Sequence, residues 1–199
     1  MIPDLVEELR IAVELGESLV SLARQPDVIG DDIRVLELDR AKAPGTVANF
    51  LQYVEDGFYD GGDGLGATIF HRVISGFVIQ AGGFTQTDSK PARAPIASEN
   101  RNGLTNDRGT IAMALKGTDE NSADSQFFIN LVDNDDLNIG VGGPPGFTVF
   151  GRVVQGLGVV DAIAAVQTAD GVQLAPGVTG DDVPVNTITI ESASVLPSS

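Results

Sequence analysis

The sequence predicts a mainly β fold: a closed eight-stranded antiparallel β-barrel capped by two α-helices, with an extra helix at the N-terminus. Three observations predict it. The chain of 199 residues carries 24 glycines, which divide it into many short segments. About eight of those segments are apolar or β-branched runs of strand length at irregular spacing. Two others, 43–57 and 158–167, read as short helices.

Residues 3–16, PDLVEELRIAVELG, read as the extra helix. Pro3 suits a first turn, and acidic residues cluster early, where the helix dipole favours them. Leu5, Leu9 and Ala12 form a stripe flanked by Val6 and Val13, and Gly16 can end it. SLVSLA (18–23) and IRVLELD (33–39) read as strands. In the second, each face carries two apolar residues and one charge, so alternation leaves open which face turns inward. The β-branched Ile33 and Val35 favour a strand there. APGTVANFLQYVEDG (43–57) is a helix whose Val47, Phe50, Leu51 and Val54 share a face and which Gly57 ends. A glycine-rich loop, 59–67, leads to the strand TIFHRV (68–73). Further strands are FVIQAG (77–82), GTIAMAL (109–115), QFFINLV (126–132) and FTVFGRVV (147–154). GVVDAIAAVQ (158–167) is the second capping helix, and NTITIESASV (186–195) closes the chain as a strand. No boundary divides the chain after its N-terminal segment, so two regions are expected: a helical extension over 1–17 and one domain over 18–199.

Lys and Arg total 12 against 28 Asp and Glu, a formal charge of −16. That balance excludes a nucleic-acid partner, which needs clustered cations, and docking on anionic membranes. The acidic excess reads as a solubility surface, and the scarcity of lysine, at three residues, leaves a saline habitat open as a second reading. No run approaches the roughly 20 apolar residues of a spanning helix. The absence of cysteine excludes disulfides and thiolate chemistry. MIPDLVEELR lacks the features of a signal peptide, so the expected location is cytoplasmic if Met1 is the native start, and periplasmic if a signal peptide was removed. The acidic clusters DGGDG (60–64), DENSAD (119–124) and DNDD (133–136) do not meet the calcium-loop pattern. They read as solvated loops, and no metal or cofactor is expected.

FHRVISGFVIQAGGFT (70–85) holds His71, the single histidine, directly before Arg72. Strand alternation sends neighbours to opposite faces. His71 is therefore expected to point away from any site containing Arg72, with its ring nitrogens hydrogen-bonded. A hydrolase is disfavoured, because Ser75 and Ser125 lack the G-x-S-x-G elbow. The glycine-rich stretches at 61–66 and 156–158 lack dinucleotide-binding spacing. What remains is Arg72 with Phe77, Gln80, Gln126 and Phe128. Arginine and glutamine do not belong in a barrel core. Together the five make sense as a peptide groove: an apolar floor, amides to hold backbone, and one fixed cation without a nucleophile.

These segments resemble the cyclophilin-type peptidyl-prolyl cis-trans isomerases, and bacterial members most. The resemblance is carried by 70–85, GTIAMA (109–114), SQFFIN (125–130) and FTVFGRVVQG (147–156), supported by 42–61 and 188–197. It implies the closed barrel with a helix at each end, and catalysis of rotation about Xaa–Pro bonds to assist protein folding. It implies that Arg72 is catalytic, with Gln80 as its buttress and Phe77 in the proline pocket. Val78, Phe128, Leu137 and Phe147 would complete the pocket and rim, Gln126 would line the groove, and the backbone of Ala114 and Leu115 would hold the substrate chain, with Glu99 through Arg108 as the loop entering it. Proline-containing polypeptides are the implied partners. Several positions depart from the common pattern: Ser75 for a proline, Ala81 for a glycine, Val78 for a methionine, Leu115 for an asparagine, and an inserted loop over 61–67. Asp136 at the usual tryptophan position implies weak cyclosporin binding. A proline-peptide binding module on the same fold, with weak or no catalysis, is the alternative.

Overall fold

The computed structural model describes residues 8–15, 33–140 and 145–195. The fold is mainly β with two α-helices. Its strands are β1 (Glu8–Leu15), β2 (Ile33–Leu38), the short pair β3 (Asp60–Gly61) and β4 (Gly66–Ala67), β5 (Phe70–Ile74), β6 (Val78–Ala81), β7 (Thr110–Met113), β8 (Phe127–Asn130) and β9 (Val149–Gln155). After them come the short β10 (Thr168–Ala169), β11 (Val172–Ala175), β12 (Val178–Gly180) and β13 (Val183–Pro184), then β14 (Thr189–Val195). The helices are α1 (Pro44–Glu55) and α2 (Leu157–Ala164). One eight-stranded sheet runs in the order β14-β1-β2-β9-β7-β8-β6-β5.

The helix expected over 3–16 is corrected where the chain is described: Glu8–Leu15 is a strand, parallel to both β2 and β14. The sheet is therefore mixed and not purely antiparallel. ELRIAVEL places Leu9, Ile11, Val13 and Leu15 at alternate positions, a period of two that competes with the helical stripe. Parallel neighbours on both sides also give its backbone groups partners. The remainder of that segment and the strand expected at 18–23 lie outside the described residues. The antiparallel pairings run from β2 through β9, β7, β8 and β6 to β5. At the two ends of this order, the Phe70 N–H donates to the Ile188 carbonyl and the Ile190 N–H to the Thr68 carbonyl, each at 2.9 Å.

Alternation builds two apolar layers. Leu36 and Leu38 of β2, Ile79 and Ala81 of β6, Ile111 and Met113 of β7, Phe127 and Ile129 of β8 and Phe150 of β9 are all buried on one face, under α1. This settles the inward face of β2. Phe50 of α1 meets Tyr59, Phe127 and Phe150 with ring centroids 5.2–5.5 Å apart. The intervening residues of β6 to β9 point to the other face, where the site lies. The loop at 59–67 is a small β3–β4 hairpin, tied down by buried Lys90, whose Nζ donates to the Phe58 and Gly66 carbonyls at 2.5 and 2.6 Å and to Asp63 Oδ1 at 3.0 Å. Residues 168–184 form two more small ladders, β10–β13 and β11–β12, where the sequence shows no strand-length run.

Candidate peptide-binding groove

On the outer face of the sheet, Val78 of β6, Ala112 of β7, Phe128 of β8 and Val149 of β9 form a second buried apolar cluster. Phe77, Leu104, Ala114, Leu137 and Phe147 pack against it while partly exposed. Phe128 and Phe147 meet edge to face at 5.4 Å between centroids, an arrangement that aromatic quadrupoles favour. The structure thus brings together Phe77, Val78, Ala114, Phe128, Leu137 and Phe147. Leu115 departs from them: its side chain packs on the main core, because it is one residue past Ala114. The Ala114 N–H is taken by the Gln126 carbonyl at 2.9 Å.

Polar groups border this cluster. Gln80 shares a face with Val78 and sits opposite Phe128 on one side and Arg72 on the other. Its Nε2 donates to Gln126 Oε1 at 2.9 Å. Gln126 can lie there because Gly83 has no side chain: a Cβ would come within 2.5 Å of the glutamine. Arg72 is 42% exposed, and its Nε lies 3.9 Å from Asp182 Oδ2. Among the described residues Asp182 is its ionic partner, while Gln80 gives its amide to Gln126.

His71 needs a correction. The β5–β6 register shifts between Phe70 and Arg72, so His71 occupies a bulge. Phe70 and Val73 both enter the core, and the alternation that would separate His71 from Arg72 fails between them. The ring is buried, stacked edge-on to Phe84 with centroids 4.8 Å apart, and Nδ1 has no hydrogen-bond partner among the described residues. Burial lowers its pKa from 6.5 to about 4; the Ile69 backbone opposes this, the Arg72 charge adds to it, and the Gln126 side chain opposes it.

An asparagine network holds the rim, and the sequence reading missed it. Asn134 Nδ2 donates to the Phe77 carbonyl at 3.0 Å and to Asn130 Oδ1 at 2.8 Å. Asn130 Nδ2 donates to Asn106 Oδ1 at 3.2 Å, and Asn106 Nδ2 reaches the Leu137 carbonyl at 3.2 Å. The Phe77 and Leu137 backbones, both beside the apolar cluster, are thereby coupled. The recurrent Asn in NGLTND (102–107) and FINLVDN (128–134) is the only local signal of it. Asp136 stands exposed beside Leu137 in a single 3₁₀ turn.

An apolar cluster bordered by two paired glutamine amides, with a half-exposed guanidinium across one strand pair from Gln80, is a surface that can meet an apolar ring and the backbone beside it. Comparison with known proteins then supplies the family. The model for cyclophilin type peptidyl-prolyl cis-trans isomerases matches residues 30–195. Peptidyl-prolyl cis-trans isomerase cyp18 of Streptomyces antibioticus is 51% identical over 167 residues, covering 81% of this chain and 92% of its own. Isomerase B of Escherichia coli is 46% identical over 158 residues, covering 77% and 88%. A Cryptosporidium parvum cyclophilin type isomerase, crystallised in the presence of the dipeptide Ala-Pro, superposes with a TM-score of 0.60 at 26% identity, covering 79% of this chain and 88% of that one. The chain belongs to the cyclophilin-type peptidyl-prolyl cis-trans isomerases, enzymes that interconvert the cis and trans forms of Xaa–Pro bonds.

Proposed function

We propose that Arg72 is the catalytic group of this isomerase and that Phe77, Val78, Phe128, Leu137 and Phe147 hold the substrate's proline ring. An amide resists rotation because resonance gives its C–N bond partial double-bond character, a barrier of about 18–20 kcal/mol. For Xaa–Pro both isomers are populated yet exchange slowly. No bond has to break, so no nucleophile is needed. Twisting the amide returns a lone pair to the proline nitrogen, and a guanidinium donor aimed there binds the twisted state better than the planar one. The guanidinium suits this because it stays charged and presents rigid donors. The pocket holds the ring still while the preceding carbonyl swings. The Gln80–Gln126 pair borders the apolar cluster on the Arg72 side, and Gln126 and the Ala114–Leu115 backbone would meet the substrate chain.

The observation that carries this reading is Arg72, half exposed, set across one strand pair from Gln80, which shares its face of β6 with the pocket wall Val78. The substrate class is proline-containing polypeptide, supported by the relative crystallised with Ala-Pro. Exposed Asp136 supports weak binding of cyclosporin. We also infer that the sheet closes into a barrel, supported by the two hydrogen bonds between the β5 and β14 ends. The test of the catalytic assignment is exchange NMR on an Ala–Pro peptide. Arg72→Ala should lower kcat/KM by about 10²–10³-fold, the loss typical of removing a transition-state donor. A folded Arg72→Ala variant as active as the parent overturns it.

A further inference from the structure

Asp182 has a conformation that asks for a reason. It lies between β12 and β13 with φ +56, the one non-glycine residue among those described in the left-handed region. L side chains resist that region, and such strain persists where surrounding structure enforces it, often at functional sites. Here the enforcement is visible. The Asp182 carbonyl accepts the Val73 N–H at 2.8 Å, and its own N–H donates to Asp170 Oδ1 at 3.1 Å. The neighbouring Asp181 Oδ1 accepts the Gly171 N–H at 2.9 Å, and Val183 is buried. The turn is thus fastened to the residue that directly follows Arg72, and it delivers a carboxylate 3.9 Å from Arg72 Nε. Across the strand pair Gln80 Nε2 donates to Gln126 Oε1, which leaves the Gln80 carbonyl oxygen as the only end of that side chain able to accept from a guanidinium.

We propose that Asp182 is a positioning residue that orients the Arg72 guanidinium for isomerisation. The guanidinium is planar, with donors in a fixed fork. An anion beside its Nε edge sets the plane of the group and leaves the terminal nitrogens for substrate. Without it a half-exposed arginine samples many rotamers, and only some aim at the proline nitrogen. The left-handed backbone is what brings the carboxylate to that edge. The proposal rests on the reading that Arg72 is catalytic, and the experiment separates the two.

Asp182→Asn is the informative variant, because asparagine tolerates the left-handed region and keeps both backbone hydrogen bonds. Exchange NMR on a proline peptide should show kcat lowered by about twofold to fivefold, the size an exposed ion pair can supply, with KM within about twofold. In an Arg72→Ala background the same substitution should change nothing further. An unchanged kcat, a loss confined to KM, or an equal loss in the Arg72→Ala background overturns the positioning role. Arg72→Ala with full activity instead overturns the catalytic reading beneath it. If Asp182→Asn fails to fold, ¹⁵N relaxation of the Arg72 Nε–H in the parent decides: order well above that of the exposed Arg101 supports the proposal, and equal mobility overturns it.

Discussion

His71 illustrates how one inserted residue changes what a side chain does. The bulge at β5 turns it into a buried site where its Nδ1 finds no partner among the described residues, and burial lowers its pKa from 6.5 to about 4. The folded protein therefore resists protonating this ring between those values, while the unfolded chain does not. The stability contributed by the neutral ring is complete above pH 6.5 and is lost as pH falls towards 4. Over that window the loss is about 3 kcal/mol, at 1.36 kcal/mol per unit. Glutamine does not titrate, so His71→Gln should remove this component. Urea denaturation at pH 7 and pH 4.5 should show the parent losing about 2 kcal/mol more than the variant between them. Equal losses would mean that the ring is already free to take a proton in the folded state.

Among the elements, α1 depends most visibly on a distant partner. Its N-cap, Ala43, offers no side-chain hydrogen bond. Glu99, more than fifty residues later, accepts instead from the Gly45 N–H at 3.0 Å, the Thr46 N–H at 2.8 Å and the Thr46 hydroxyl at 2.7 Å. Its charge also sits at the positive end of the helix dipole. Glu99→Gln keeps an acceptor but loses the charge, and should lower stability by about 1–2 kcal/mol with isomerase activity retained. Thermal melting followed by circular dichroism measures it, and an unchanged midpoint would show that Pro44 alone sets the start of the helix. A pattern internal to one segment was readable from the sequence: the α1 face of Val47, Phe50, Leu51 and Val54, all of them buried. Two periods compete in ELRIAVEL, and only its β2 and β14 neighbours decide for the strand. Glu99 on α1, Asp182 on Arg72 and the bulge at His71 are relations between segments that no local pattern encodes, and the asparagine network shows locally only as recurrent asparagine.

For the whole molecule, the decisive question is whether the sheet ends at β5 and β14 or continues across them. An open sheet would leave two edges whose free N–H and C=O groups invite pairing with other chains. Phe70 and Ile190, whose N–H groups cross the gap, are both essentially buried, so unpaired backbone there would lack solvent as well as partners. Closure would satisfy them, and would make their opening part of the cooperative unfolding of the domain. Edge amides of an open sheet exchange through cheap local fraying, whereas interior amides wait for global opening. Native-state hydrogen exchange should therefore give the Phe70 and Ile190 amides protection within about tenfold of Ile79 and Ile129, which face each other in the interior β6–β8 ladder. Exchange faster by about a thousandfold would leave β5 and β14 as true edges, because such a difference means that the seam opens without the rest of the fold.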